Sequence, residues 1–127
     1  MTCELNASGP DFDVDAFLRG SSLKPTKVLR KGELKIGKYV NDKAIITIAV
    51  SDADTEEPEL QIDDAIELLE QNQQELERLR DFPGVVEIYL GFHIAEGASR
   101  NQADRFPAEL LRLSGNLGIG IEIYRYP

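Results

Sequence analysis

The sequence predicts an α+β protein, a two-layer sandwich with a mixed or antiparallel sheet and helices on one face. Three observations carry that expectation. Leu60 to Phe82 repeats apolar residues at helical spacing over a long stretch. Cys3–Ser8, Ala44–Val50, Val85–Ile94 and the closing Ile119–Tyr124 carry strand patterns. Helical and extended segments interleave, while at least one pair of strands reads as a hairpin. The expected order is β-α-β-β-α-β-α-β. Its nearest common form is a ferredoxin-like variant, the split βαβ arrangement with an extra αβ unit at the end. The chain of 127 residues is long enough for one core and reads as a single domain, 1–127.

The elements follow in order. Cys3, Leu5 and Ala7 alternate with Glu4, Asn6 and Ser8, the pattern of a half-buried strand. Asp11 or Asp13 caps a short helix over Val14–Arg19, and Gly20 lies just past its end. Pro25 sets an extended path through Lys27–Glu33, with a turn or bulge at Lys31-Gly32. Ala44–Val50 is β-branched and apolar on both faces, so it reads as a central strand buried on both sides or nearly so. Ser51–Glu59 is an acidic, proline-containing loop.

In the long helix, Ile62, Ala65, Ile66, Leu69, Leu76 and Leu79 form one stripe, interrupted once at Asn72 and Gln73. Acidic residues crowd its start, Arg78 and Arg80 sit at its end, and Pro83-Gly84 stops it. Val86, Ile88, Leu90, Phe92 and Ile94 share one face of the next strand, with Glu87, Tyr89, Gly91 and His93 on the other. Ala95–Arg105 is a loop. Pro107 starts a helix whose apolar side is Leu110, Leu111, Leu113 and Leu117, ended by Gly115 or Gly118. Ile119, Ile121 and Ile123 then alternate with Gly120, Glu122 and Tyr124.

Composition bounds the class. Apolar content of 42% and charge of 29% are ordinary for a soluble globular chain. No run of about eighteen apolar residues exists, so no membrane span is expected. The opening MTCELNASG is not a signal peptide. Cys3 is the only cysteine, which excludes an intrachain disulfide and a cysteine-rich zinc site; both points indicate a cytoplasmic location. The net charge is −9, unevenly spread. Residues 1–50 carry 8 Lys and Arg against 6 Asp and Glu, and residues 51–127 carry 6 against 17.

No pattern in the chain demands a cofactor or a metal. DFDVD at 11–15 opens like a calcium loop, but Ala16 and Ser22 stand where that loop needs glycine and glutamate. Gly115, Gly118 and Gly120 show the reverse of the dinucleotide spacing, between a helix and a strand, and fit helix termination better. Cys3 reads as an inert buried thiol. Lys24, Lys27, Arg30, Lys31, Lys35, Lys38 and Lys43 form a basic strip, but the whole chain, with pI near 4.6, is too acidic for a nucleic-acid domain.

The open face of the sheet is the strongest candidate. By alternation Glu87, Tyr89 and His93 project away from the core, as do Glu122, Tyr124 and Tyr126 on the last strand. If the two strands are neighbours, these residues form one patch for a protein partner or for self-association, since tyrosines bury area and keep a polar end. The alternative is a solvated face with ordinary cross-strand pairs. His93, the only histidine, is the residue any small enzyme or ligand binder on this face would use, with Glu87 and Tyr89.

Two stretches carry a family resemblance. SGPDFDVDAFLRGSSLKPTKVLRKGE resembles the start of a family of small bacterial proteins known as a domain of unknown function, the one numbered 4279. Asp11-Phe12-Asp13, Pro25-Thr26 and Arg30-Lys31-Gly32-Glu33 match its helix start, its Pro-Thr step and its basic turn. FPAELLRLSGNLGIGIEIYRYP resembles its closing leucine-rich helix and tyrosine-ending strand. That family often carries tryptophan near the basic turn, and this chain has none. The resemblance implies no established activity. It implies a small, acidic, cytoplasmic protein of immunity type, one that covers the active surface of a toxin and has no catalytic residues. The resulting expectation is a non-enzymatic binding module that neutralises a basic partner, the carboxylates of 56–77 adding association rate. A small enzyme or ligand-binding domain around His93, and a homo-oligomeric structural module, are the alternatives.

Overall fold

A computed structural model describes residues 1–33, 40–97 and 102–127. It is an α+β structure with a five-stranded mixed open sheet and four helices. In chain order the elements are β1 (Cys3–Gly9), α1 (Val14–Leu18), β2 (Lys27–Leu29), β3 (Ala44–Ser51), α2 (Pro58–Gln71), α3 (Gln73–Arg80), β4 (Glu87–Ala95), α4 (Ala108–Asn116) and β5 (Gly120–Tyr126). The sheet order is β2-β3-β1-β4-β5. Every neighbouring pair is antiparallel except β4 and β5, which run parallel and are joined through α4.

The register explains the core. Leu5 is paired with Ile48 on one side and Leu90 on the other, and Ala7 with Ile46 and Ile88. These residues share one face of the sheet and are all buried. Ile62, Ala65 and Leu69 of α2, Leu76 and Leu79 of α3, and Leu110 of α4 join them in a single cluster. At one end Phe12, Phe17 and Phe82 meet edge to face, with ring centroids 5.3 to 6.1 Å apart. The Arg78 guanidinium lies 4.4 Å from the Phe17 centroid and donates to the Phe17 carbonyl at 2.8 and 3.1 Å, tying α3 to the last turn of α1.

The structure corrects several expectations. The single helix over 60–82 is two helices. Asn72, with φ −122° and ψ 24°, donates to the Leu68 carbonyl through both its backbone N–H and its side-chain Nδ2, so it closes α2 where the stripe is interrupted. The strand buried on both faces is β1, which is flanked by β3 and β4, and not β3. Asn6 and Ser8 are buried beside Leu5 and Ala7, whereas Ala49 of β3 is exposed and Ile45 half-buried. β2 shrinks to three residues. Val86 precedes β4 and is 75% exposed, and Leu111 points outward from α4.

The turn signals are placed as expected. Asp13 caps α1 by accepting from Ala16 N–H at 3.0 Å. Gly118, with φ 67°, ends α4, where Ile119 N–H donates to the Ser114 carbonyl and Gly118 N–H to that of Gly115. At Gly9 and Gly84 two backbones cross so closely that a Cβ on Gly9 would lie 1.7 Å from the Gly84 carbonyl oxygen. That crossing fixes the entry into β4, whose preceding Val86 N–H donates to the Ser8 carbonyl.

Candidate functional site

β4 and β5 are neighbours, so the structure brings the two halves of the tyrosine-carboxylate patch together. Their register pairs Tyr89 with Gly120, Gly91 with Glu122, His93 with Tyr124 and Ala95 with Tyr126. Side chains alternate, and these positions lie on the face away from the buried cluster. Glu87 and Glu122 are exposed, Tyr89, His93 and Tyr124 are half-buried, and Tyr126 is 46% exposed.

His93 is the hub. Its Nε2 lies 2.9 and 3.1 Å from the two carboxylate oxygens of Glu4, and its Nδ1 lies 2.7 Å from the Tyr126 hydroxyl. With one ring proton, Nε2–H donates to Glu4 and Nδ1 accepts from Tyr126. Its ring runs nearly parallel to those of Tyr124 and Tyr126, with centroids 4.7 and 5.7 Å away. Tyr89 and Glu122 stand close to Tyr124 in turn. Loss of hydration first, then those two neighbours, hold the Tyr124 hydroxyl well above the usual tyrosine range.

Two residues make this cluster possible. Gly91 sits opposite both Glu4 and Glu122. A Cβ there would lie 3.0 Å from a ring carbon of Tyr124 and 3.1 Å from a carboxylate oxygen of Glu4, so the missing side chain is the space they occupy. From the other side of the sheet, the fully buried Gln61 of α2 donates through Nε2 to the His93 carbonyl at 2.8 Å and to that of Asp54 at 3.2 Å. Its Oε1 has no partner among the described residues.

Glu4, Gly91 and Gln61 are the members that sequence reasoning missed. Glu4 falls on the outward face of its strand by alternation, but only the β1–β4 pairing brings it to His93. Gln61 had no signal beyond its place beside Ile62 at the start of the helix.

The other candidates resolve into structural roles. Asp15 accepts from Arg30 at 2.8 and 2.9 Å, Asp11 lies 3.9 Å from Lys31, and Asp13 is a cap, so each aspartate of the DFDVD run has a partner within the fold. Among the described residues no group of three or more side chains is placed to hold a metal ion. Part of the basic strip is thus paired with acidic residues of the same chain, while Lys35 and Lys38 lie outside the described residues. Cys3 is fully buried, and burial, then Glu4 and Asp64, push its thiol far above the usual range. The clefts at the α2–α3 junction and beside the start of α2 are not lined by any residue of the His93 cluster. Among the described residues no helix is long and apolar enough to cross a membrane.

No curated protein and no solved structure matches the chain significantly. One family does, over its full length: the model of the domain of unknown function DUF4279 matches residues 1–127, and the chain belongs to that family.

Proposed function

We propose that this DUF4279 protein is a non-enzymatic protein-binding module of the bacterial cytoplasm that uses the β4–β5 face to cover a basic partner, in the manner of an immunity protein. One observation carries the reading. Glu87 and Glu122 stand exposed beside Tyr89, Tyr124 and Tyr126, around a His93 ring held on both nitrogens. Tyrosines fixed in place lose little entropy on binding, and carboxylates among them select cationic side chains. The acidic balance of residues 51–127 would speed encounter with such a partner. A ferredoxin-like reading of the first four strands belongs to the same proposal: β3 stands between β1 and β2, and β1 between β3 and β4.

The test is affinity capture from cells of the source, with wild type beside Glu87→Lys/Glu122→Lys and Tyr89→Ser/Tyr124→Ser. A stoichiometric basic protein retained by wild type and lost by both variants supports the reading. The same proteins on all three baits, or a basic protein held only through another surface, overturn it.

The Glu4–His93–Tyr126 chain favours a second reading, a ligand or proton-transfer site. A small molecule that stabilises wild type but not His93→Asn would support it.

A further inference from the structure

We infer that the free edge of β5 is a docking strand for an extended, cationic segment of another protein, which adds as a sixth strand beside the tyrosine face. This rests on the protein-binding reading above and names how the partner is held.

The two edges of the sheet differ. β2 is three residues long and begins with Lys27, features that discourage pairing. β5 runs seven residues, Gly120–Tyr126, and contains neither proline nor lysine. It hydrogen-bonds β4 alone among the described residues. The Tyr126 carbonyl accepts from Glu96 N–H on the β4 side. A residue's N–H and C=O point to the same side of a strand, so Ile121, Ile123 and Arg125 turn theirs outward. That leaves a row of donors and acceptors unpaired among the described residues, beside Ile123, which is 37% exposed, and Tyr126, 46% exposed.

Charge selects the occupant. Glu122, Tyr124 and Tyr126 line the rim of the open face along this edge, and Arg125 turns to the opposite side, 3.7 Å from Asp104. A strand laid on β5 would set every second side chain against that rim. Arginine or lysine there meets a carboxylate and tyrosine faces, and an acidic side chain meets repulsion. The occupant is therefore a segment with cationic residues at alternate positions.

The probe is a synthetic peptide alternating arginine with threonine, beside one in which glutamate replaces arginine. Binding is followed by NMR titration and by amide exchange. The arginine peptide should bind at least tenfold tighter than the glutamate peptide. It should slow exchange at Ile121, Ile123 and Arg125 at least tenfold, while Glu122 and Tyr124, already bonded to β4, change little. Ile123→Pro removes one outward N–H without touching the β4 ladder and should weaken binding at least tenfold; the exchange pattern in wild type stands whether or not that variant folds.

Binding that leaves those three amides unprotected overturns the edge proposal and leaves the face reading intact. So does failure of the peptide when the captured basic protein still needs Glu122 and Tyr124. Slow exchange at these amides in the free chain, with a dimer's mass, overturns it in favour of a second copy. Loss of both peptide binding and basic-partner capture sinks this proposal together with the reading it rests on.

Discussion

Glu4 and His93 are 89 positions apart in the chain, yet the carboxylate of one lies 2.9 Å from Nε2 of the other. Both side chains are largely buried, at 13% and 21% exposure, so the contact is shielded from screening. A double-mutant cycle with Glu4→Gln and His93→Gln should show a coupling of about 1–2 kcal/mol in urea unfolding. Additive losses would mean that the two side chains meet without holding each other.

Gly91→Ala tests the space under the cluster. The added methyl would press on Tyr124, which stacks on His93, and on Glu4, which is hydrogen-bonded to it, so neither is free to retreat. The expected cost is about 1–3 kcal/mol, the range for overpacking. In a Tyr124→Ser background the cost should fall by half or more. An equal cost in both backgrounds would place the strain in the backbone instead.

Much of this fold can be read along the chain, and the exceptions have one cause. Val14, Ile62, Leu69 and Ile88 are buried because local periodicity already assigns them a face. Asn72 interrupts the helix where the apolar stripe is interrupted. Periodicity says nothing about which strands are neighbours, however. The central place of β1, the exposure of Ala49 and the meeting of Glu4 with His93 all depend on sheet order, which is a long-range property. Alternation alone put Tyr89, His93, Glu122 and Tyr124 on one side. Only the parallel β4–β5 pairing makes them a cluster.

Gly9→Ala should be among the most damaging single methyls at the described glycines. Its Cβ would lie 1.7 Å from the carbonyl oxygen of Gly84, whose own φ of 90° only glycine adopts freely. The Val86 to Ser8 hydrogen bond that leads into β4 lies beside this crossing and ties the two segments together. A loss of about 4 kcal/mol or more is expected, the range reserved for gross steric conflict. A thermal midpoint within a few degrees of wild type, about what 1 kcal/mol produces, would show that the two backbones at the crossing can part to admit a methyl.

Arg78→Met keeps the aliphatic stem over Phe17 and removes the guanidinium. The Phe17 carbonyl loses its two donors and Glu75 loses one. The expected cost is about 2 kcal/mol. Because the lost contacts fasten α1, amide exchange should quicken first in Val14–Leu18, before the central strands respond. Uniform acceleration across the sheet would assign Arg78 to global packing instead.

The pH response of the helical surface should have two opposite parts. The hydrogen bond from Arg30 holds the Asp15 carboxyl below its usual value. Its contribution is present above the unfolded value and lost as pH falls through the folded one. Glu70 behaves in the reverse way. Its hydrogen bond with Glu109, then lost hydration and the charges of Glu109 and Glu67, raise its value. Two carboxyls can share that bond only while one is protonated. The contribution is therefore complete below the unfolded value and disappears as pH rises through the folded one, leaving like charges facing each other at neutral pH. Glu70→Gln supplies a donor at every pH and removes the repulsion. It should raise the thermal midpoint at pH 7 and do little near pH 3.5, where the wild-type pair already holds its proton. Asp15→Asn should show the opposite sign, a loss at pH 7 that shrinks only as pH falls through the folded value, below the usual carboxyl range. Scans of both variants between pH 7 and pH 3.5 separate these contributions, since the Glu70→Gln effect should fade over that range while the Asp15→Asn loss largely persists; a Glu70→Gln effect that persisted unchanged at the lower pH would point to helix propensity rather than the shared proton.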